Sequence, residues 1–269
     1  MARGLYFLNK GDYIIAYEIY KKIENMLGSE EMVQHAHIYY NISQVRMHLY
    51  KDQSISRMYA KKAYKLYGKF NKEHEKIHVL INLAMQYNKD KLQEQAIESL
   101  KQAENEAKTN NNPLNVCLIA YNYGKIYQGL KEYANAISYY EKSLELSDYL
   151  PRTADKVYIL RNLIEIYMER KDWQTVNKLI DDAFDILSTC DIPYAHVQLY
   201  GFKAQISKLR GNDDSFEKNM EKEIEIGLEK RQYSLVRELA LELGNYLYDS
   251  RAYKRSAKYF KIAAENVLN

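Results

Sequence analysis

Apolar and small residues return at helical spacing along most of the chain, with charged residues between them. The pattern is clearest from Cys117 to Leu150, CLIAYNYGKIYQGLKEYANAISYYEKSLELSDYL, which predicts two amphipathic helices joined by a short turn. Small residues (Gly124, Ala136, Ser143) stand where two helices must approach closely. Aromatic residues (Tyr123, Tyr127, Tyr140) stand between them. Taking Gly124 as reference, the matching positions are Gly4, Ser43, Ala84, Ile164, Ala204 and Gly244, at spacings of 39, 41, 40, 40, 40 and 40 residues. A second-helix small position recurs at Ala16, Ser56, Ala96, Val176, Ser215 or Phe216, and Ser256. It is followed by Tyr20, Ala60, Leu100, Ile180, Met220 and Phe260. The fit is loosest at Ile164–Val176 and around Ala204.

A Tyr-Gly-x-x-Tyr run followed by Ala, Tyr and Ser in the next helix resembles the tetratricopeptide (TPR) signature. The resemblance implies an all-α, right-handed superhelical solenoid of about seven helix-turn-helix repeats with a ~40-residue period, and a concave face for ligands. A solenoid needs no central core, because each repeat packs only on its neighbours. With no low-complexity linker, residues 1–269 are expected to form a single TPR peptide-binding domain. The first repeat is incomplete, since residues 3–8 match only the end of a first helix, and the chain reads as a fragment of a larger regulator. The three prolines, Pro113, Pro151 and Pro193, all fall at repeat boundaries, where a missing N–H and a fixed φ do least harm.

Composition changes this picture only at its edges. The 27 tyrosines suit helix–helix seams, where the ring is buried and the hydroxyl reaches the rim. A net charge of +3 with both signs interspersed argues against a nucleic-acid or membrane field. Cys117 and Cys190 lack metal-ligand spacing and read as reduced packing residues of a cytoplasmic protein. No signal peptide or long apolar run appears.

Two residues before the reference position the chain carries Asn41, Asn82, Asn122 and Asn162 in four consecutive repeats, then Phe202 and Glu242. Asparagine is a poor choice for an ordinary helix interior. Its amide can pair with both the C=O and the N–H of an extended peptide, and a ladder of four suits a peptide of about five to nine residues at about 3.3 Å per residue. Gln44, His78, Lys89, Tyr121, Lys125, Tyr158, Arg161 and Glu165 fall on or near the same face. Lys89, Lys125 and Arg161 would make its centre positive. Glu165, Glu169, Glu238, Glu242 and Asp249 would make the later repeats negative. A peptide carboxylate suits the first part and an amino group the second.

Long repeats with a first-helix asparagine column resemble the TPR domains of Gram-positive quorum-sensing receptors, the Rap/NprR/PlcR family, and most of all its NprR-like members. The resemblance implies a receptor for a short signalling peptide, with these asparagines contacting peptide backbone. It implies control of a bacterial transcriptional regulator in quorum sensing and sporulation, a homodimer, and DNA contact only through a missing N-terminal domain. A Rap-like action on a response regulator of a phosphorelay, or a generic protein-interaction scaffold, are the alternatives. No cofactor, metal, catalytic residue or membrane contact is implied.

The sharpest rival is His74-Glu75-Lys76-Ile77-His78, a match to the H-E-x-x-H pattern that sets two imidazoles and a general base around zinc. No third ligand follows at metalloprotease spacing, and a shallow groove offers no closed cavity. A carboxylate clamp of the co-chaperone type is disfavoured too. Its lysine positions are held here by Tyr40/Gln44, Ile81/Met85 and Leu118/Asn122.

Overall fold

The computed structural model describes residues 1–28, 32–110, 112–150, 155–189, 193–209, 211–229 and 232–266. Cys190 and Pro151 lie outside the described residues. Among the described residues the chain is all-helical, with fourteen α-helices and no strand. In chain order the first helices of the pairs are α1 (Ala2–Lys10), α3 (Val33–Leu49), α5 (Glu73–Lys89), α7 (Pro113–Gly129), α9 (Asp155–Glu169), α11 (Pro193–Leu209) and α13 (Tyr233–Asp249). The second helices are α2 (Tyr13–Asn25), α4 (Ser54–Lys69), α6 (Gln93–Asn110), α8 (Tyr133–Glu145), α10 (Trp173–Ser188), α12 (Asp213–Glu229) and α14 (Tyr253–Glu265). Within residues 1–150 and within residues 151–269 each helix packs on its sequence neighbours, as the repeat requires. The chain divides into two compact units, residues 1–150 and residues 151–269.

The turn inside each pair shows how the repeat is written in the backbone. Gly11, Lys91, Lys131, Lys171, Gly211 and Arg251, forty residues apart but for one missing member, all adopt a left-handed conformation with φ between 58° and 84°. The next residue's N–H returns to a carbonyl five residues back, from Asp12 to Phe7, Glu132 to Tyr127 and Ala252 to Leu247, at 2.8–2.9 Å. This is the Schellman closure, which satisfies carbonyls that the helix end leaves orphaned. Only glycine enters this region without steric cost, so four of the six turns carry a small local strain.

The missing member is the α3–α4 turn. Helix α3 ends in extended backbone at Tyr50, and fully buried Gln53 donates its amide to the carbonyls of Tyr50 and Lys51. This turn is one residue longer than the others and the preceding connection one shorter, which accounts for the 39 and 41 spacings. The second helices never leave the 40-residue frame. Phe216 is buried and Ser215 is not, so Phe216 holds the small-residue position that the sequence left open.

Pair closure follows size complementarity. A Cβ on Gly124 would lie 2.6 Å from the ring of fully buried Tyr140, one on Gly4 2.7 Å from Tyr20, and one on Gly244 2.8 Å from Phe260. Where the second helix offers a smaller residue (Ala60, Leu100, Ile180 or Met220), the first helix carries Ser43, Ala84, Ile164 or Ala204. Close packing leaves no room for both partners to be large.

Candidate functional site

The first-helix asparagines are held between helices. Asn41, Asn82, Asn122 and Asn162 are only 3–7 % exposed. How such a buried amide is held is clearest at Asn82. Its Oδ1 accepts from Ser43 Oγ at 3.0 Å and from Gln86 Nε2 at 2.5 Å, and Gln86 also donates to Ser43 at 2.7 Å. Three buried polar side chains thus tie α3 to α5, as buried amides must find partners. Asn122 Nδ2 donates to the Leu118 carbonyl of its own helix at 2.8 Å, and Asn162 Oδ1 faces Arg161 at 3.4 Å. The sequence missed the role of Gln86. Its signal was available: a second amide four residues after Asn82, on the same face.

In the first unit, α3, α5 and α7 lie side by side, and a cleft of about 290 Å³ opens across them. Met47, His48, Met85, Lys89, Asn122 and Lys125 are among its walls. Three predicted site residues, Lys89, Asn122 and Lys125, are thus brought together. Lys89 Nζ donates to the Met47 carbonyl near the end of α3. Lys125 Nζ lies 5.7 Å from the centroid of the Tyr121 ring. His48 stacks on Tyr13 with centroids 4.2 Å apart. Loss of water around its ring, and secondarily the Lys89 charge, lower its pKa. The cleft is therefore positive and partly apolar, with a neutral imidazole at one end.

The remaining predicted residues of this unit lie elsewhere on the same helices. Gln44 donates to the Tyr40 hydroxyl at 3.0 Å, and burial pushes that phenol's pKa up. His78 Nε2 lies 3.1 Å from His74 Nε2. Among the described residues no group of three or more His, Cys, Asp or Glu side chains converges as a metal cage would. In the second unit, Tyr158, Arg161, Asn162 and Glu165 share α9. Arg161 Nε sits 3.3 Å from Glu165 Oε1 and its guanidinium reaches Gln198. Arg161 therefore carries its charge beside a carboxylate, whereas Lys89 and Lys125 line the cleft of the first unit.

One buried acid was missed entirely. Glu223 on α12 occupies the position held by Ala63, Ala103, Ser143, Ala183 and Ala263 in five of the other repeats, and by Ile23 in the first. It is 4 % exposed, and its Oε2 has no hydrogen-bond partner. Gly201 on α11 makes the room, since a Cβ there would lie 2.9 Å from Oε1. Burial, with the charge of Glu242 second, raises the carboxyl pKa to about 8. A glutamate breaking a column of small residues, opposite a glycine, was the available signal.

No family model matches this chain, and no curated protein matches its sequence. Solved structures share its fold. The apo quorum sensor NprR from B. thuringiensis superposes with a TM-score of 0.74 at 18 % identity, over 98 % of this chain and 74 % of that one. A Rap protein complexed with Competence and Sporulation Factor gives 0.69 at 17 % identity, over 98 % and 72 %. NprR in complex with its cognate peptide NprX gives 0.66 at 19 % identity, over 98 % and 74 %. The helix-pair solenoid is thus that of Rap proteins and NprR. Among the described residues no helix is long and apolar enough to cross a membrane.

Proposed function

We propose that this chain is the sensor domain of a quorum-sensing regulator and binds a short signalling peptide on the first-helix face of its first unit. The observation that carries the reading is the cleft across α3, α5 and α7, where Asn122, Lys89 and Lys125 meet Met47 and Met85. A peptide strand leaves its backbone groups open, and an amide in the cleft wall can take them up. The two ammonium groups suit a carboxylate, either the peptide terminus or an acidic side chain, and the methionines suit an adaptable apolar contact. The peptide complex of NprR on the same fold supports the choice of ligand. In this reading the deeply held asparagines, Asn82 above all, set the spacing of the first helices, and Asn122 meets the ligand.

The output follows by population shift: a peptide that favours one arrangement of the helix pairs stabilises it by its difference in affinity for the two. Control of transcription, a homodimer, contact with DNA through a further domain, a phosphorelay partner and a cytoplasmic setting belong to the same proposal. Calorimetric titration with a short-peptide library, then with its hits, tests it. Binding should fall about tenfold or more in Lys89→Ala/Lys125→Ala, about 1.4 kcal/mol for each factor of ten, and also in Asn122→Ala. Wild-type affinity in all of these variants would overturn the assignment.

A further inference from the structure

We propose that His74 and His78 form a two-imidazole site for a divalent transition-metal ion of the copper, nickel or zinc class, oriented by Asn115. The two histidines stand one turn apart on α5, so their side chains share one face. Their Nε2 atoms are 3.1 Å apart, with ring centroids 4.5 Å apart and planes at 80°. An imidazole nitrogen binds such an ion at about 2.0–2.1 Å. Two of them subtending an angle of roughly 90–109° at one ion stand about 2.8–3.4 Å apart. The observed separation falls in that range. In the metal-free chain a single shared proton between the two nitrogens accounts for the same distance, and an ion takes that proton's place.

Asn115 supplies the second observation. It is wholly buried on α7, its Nδ2 lies 3.3 Å from His74 Nδ1, and its Oδ1 has no hydrogen-bond partner. The two ends of a carboxamide have nearly the same outline, and the hydrogen-bond network decides between them. Turning the amide brings Oδ1 opposite His74 Nδ1, where it accepts the ring N–H. That bond fixes the proton on Nδ1 and leaves the Nε2 lone pair directed at His78. Ligating histidines are held by such an acceptor behind the ring in most metal sites. With two protein ligands and no third among the described residues, water completes the coordination. The site is then one of capture and exchange, with none of the closed geometry of a structural zinc. Two imidazoles favour copper(II) over nickel(II) and zinc(II), following the general order of divalent affinities.

The test is titration of the full chain, free of any histidine tag, with Cu²⁺ or Zn²⁺ alone, by calorimetry and, for copper, electron paramagnetic resonance. One equivalent should bind, with hyperfine splitting from two imidazole nitrogens. His74→Ala and His78→Ala should each weaken binding tenfold or more while helicity by circular dichroism is unchanged. Asn115→Ala should weaken it about tenfold and keep the two-nitrogen signature. Equal affinity in wild type and His74→Ala/His78→Ala, or no binding by wild type, would overturn the site. Unchanged affinity in Asn115→Ala would overturn the orienting role.

Discussion

The two units carry the same repeat and bury opposite chemistry in it. In the first, the polar seam between α3 and α5 is neutral: Ser43, Asn82 and Gln86 satisfy one another except at Gln86 Oε1. In the second, the seam between α11 and α12 holds a carboxyl, Glu223, with an unpartnered oxygen and Glu242 as its charged neighbour. A solenoid tolerates both because each interface is local, and a cost at one seam is not transmitted through a shared core. The difference teaches that an identical helix frame can hold a neutral brace in one place and a proton-binding group in another.

The largest expected effect separates the units by pH. Glu223 has its folded pKa raised to about 8 from 4.5, so the folded second unit holds a proton that the unfolded chain releases. Its contribution is fully present below about pH 4.5 and is lost as pH rises to about 8. At pH 7 the loss is on the order of 3 kcal/mol, at 1.36 kcal/mol for each pKa unit. Glu223→Gln should therefore stabilise the second unit by about that much at pH 7 and by little at pH 4. Hydrogen exchange of α12 amides as a function of pH reads this directly. A flat pH profile in wild type would remove the carboxyl from its assigned role. Protection of α5 amides should not follow this curve, since the Ser43–Asn82–Gln86 seam does not titrate.

A smaller effect breaks the first unit. Asn82→Ala leaves Ser43 and Gln86 without their shared acceptor and should cost about 2 kcal/mol, the usual penalty for stranded buried donors. Thermal unfolding checks the total, and hydrogen exchange should place the loss in α3 and α5. The corresponding change in the second unit, Phe202→Ala, removes no such network and should not produce that pattern.

The smallest effect should be shared. Lys131→Gly in the first unit and Lys171→Gly in the second relieve the same left-handed turn, with φ of 60° and 58°. Relief of the Cβ clash is worth about 1–2 kcal/mol, and the extra chain entropy of glycine takes back roughly half. Each variant should gain a few tenths to about 1 kcal/mol. Unequal gains in denaturant unfolding would show that the two turns are not the same element.

Much of this molecule is written locally. The helix pairs, the 40-residue frame and the Gly124–Tyr140, Gly4–Tyr20 and Gly244–Phe260 pairings were legible because side-chain size and helical period act over a few residues. The sequence also picked Lys89, Asn122 and Lys125 as members of one face, since register alone puts them on successive first helices. What the tertiary structure decided is how deep each residue lies and which partner it meets. Asn82 was read from its period alone, whereas its bonds to Ser43 on α3 and to Gln86 set it in the seam between two helices. The guanidinium of Arg161 reaches Gln198 on α11, a partner that its own helix does not reveal. Glu223 becomes a buried acid only because Gly201, on another helix, leaves it space. Periodicity fixes direction around a helix axis, whereas burial and pairing depend on the neighbouring helix, and that information is absent from any single stretch of chain.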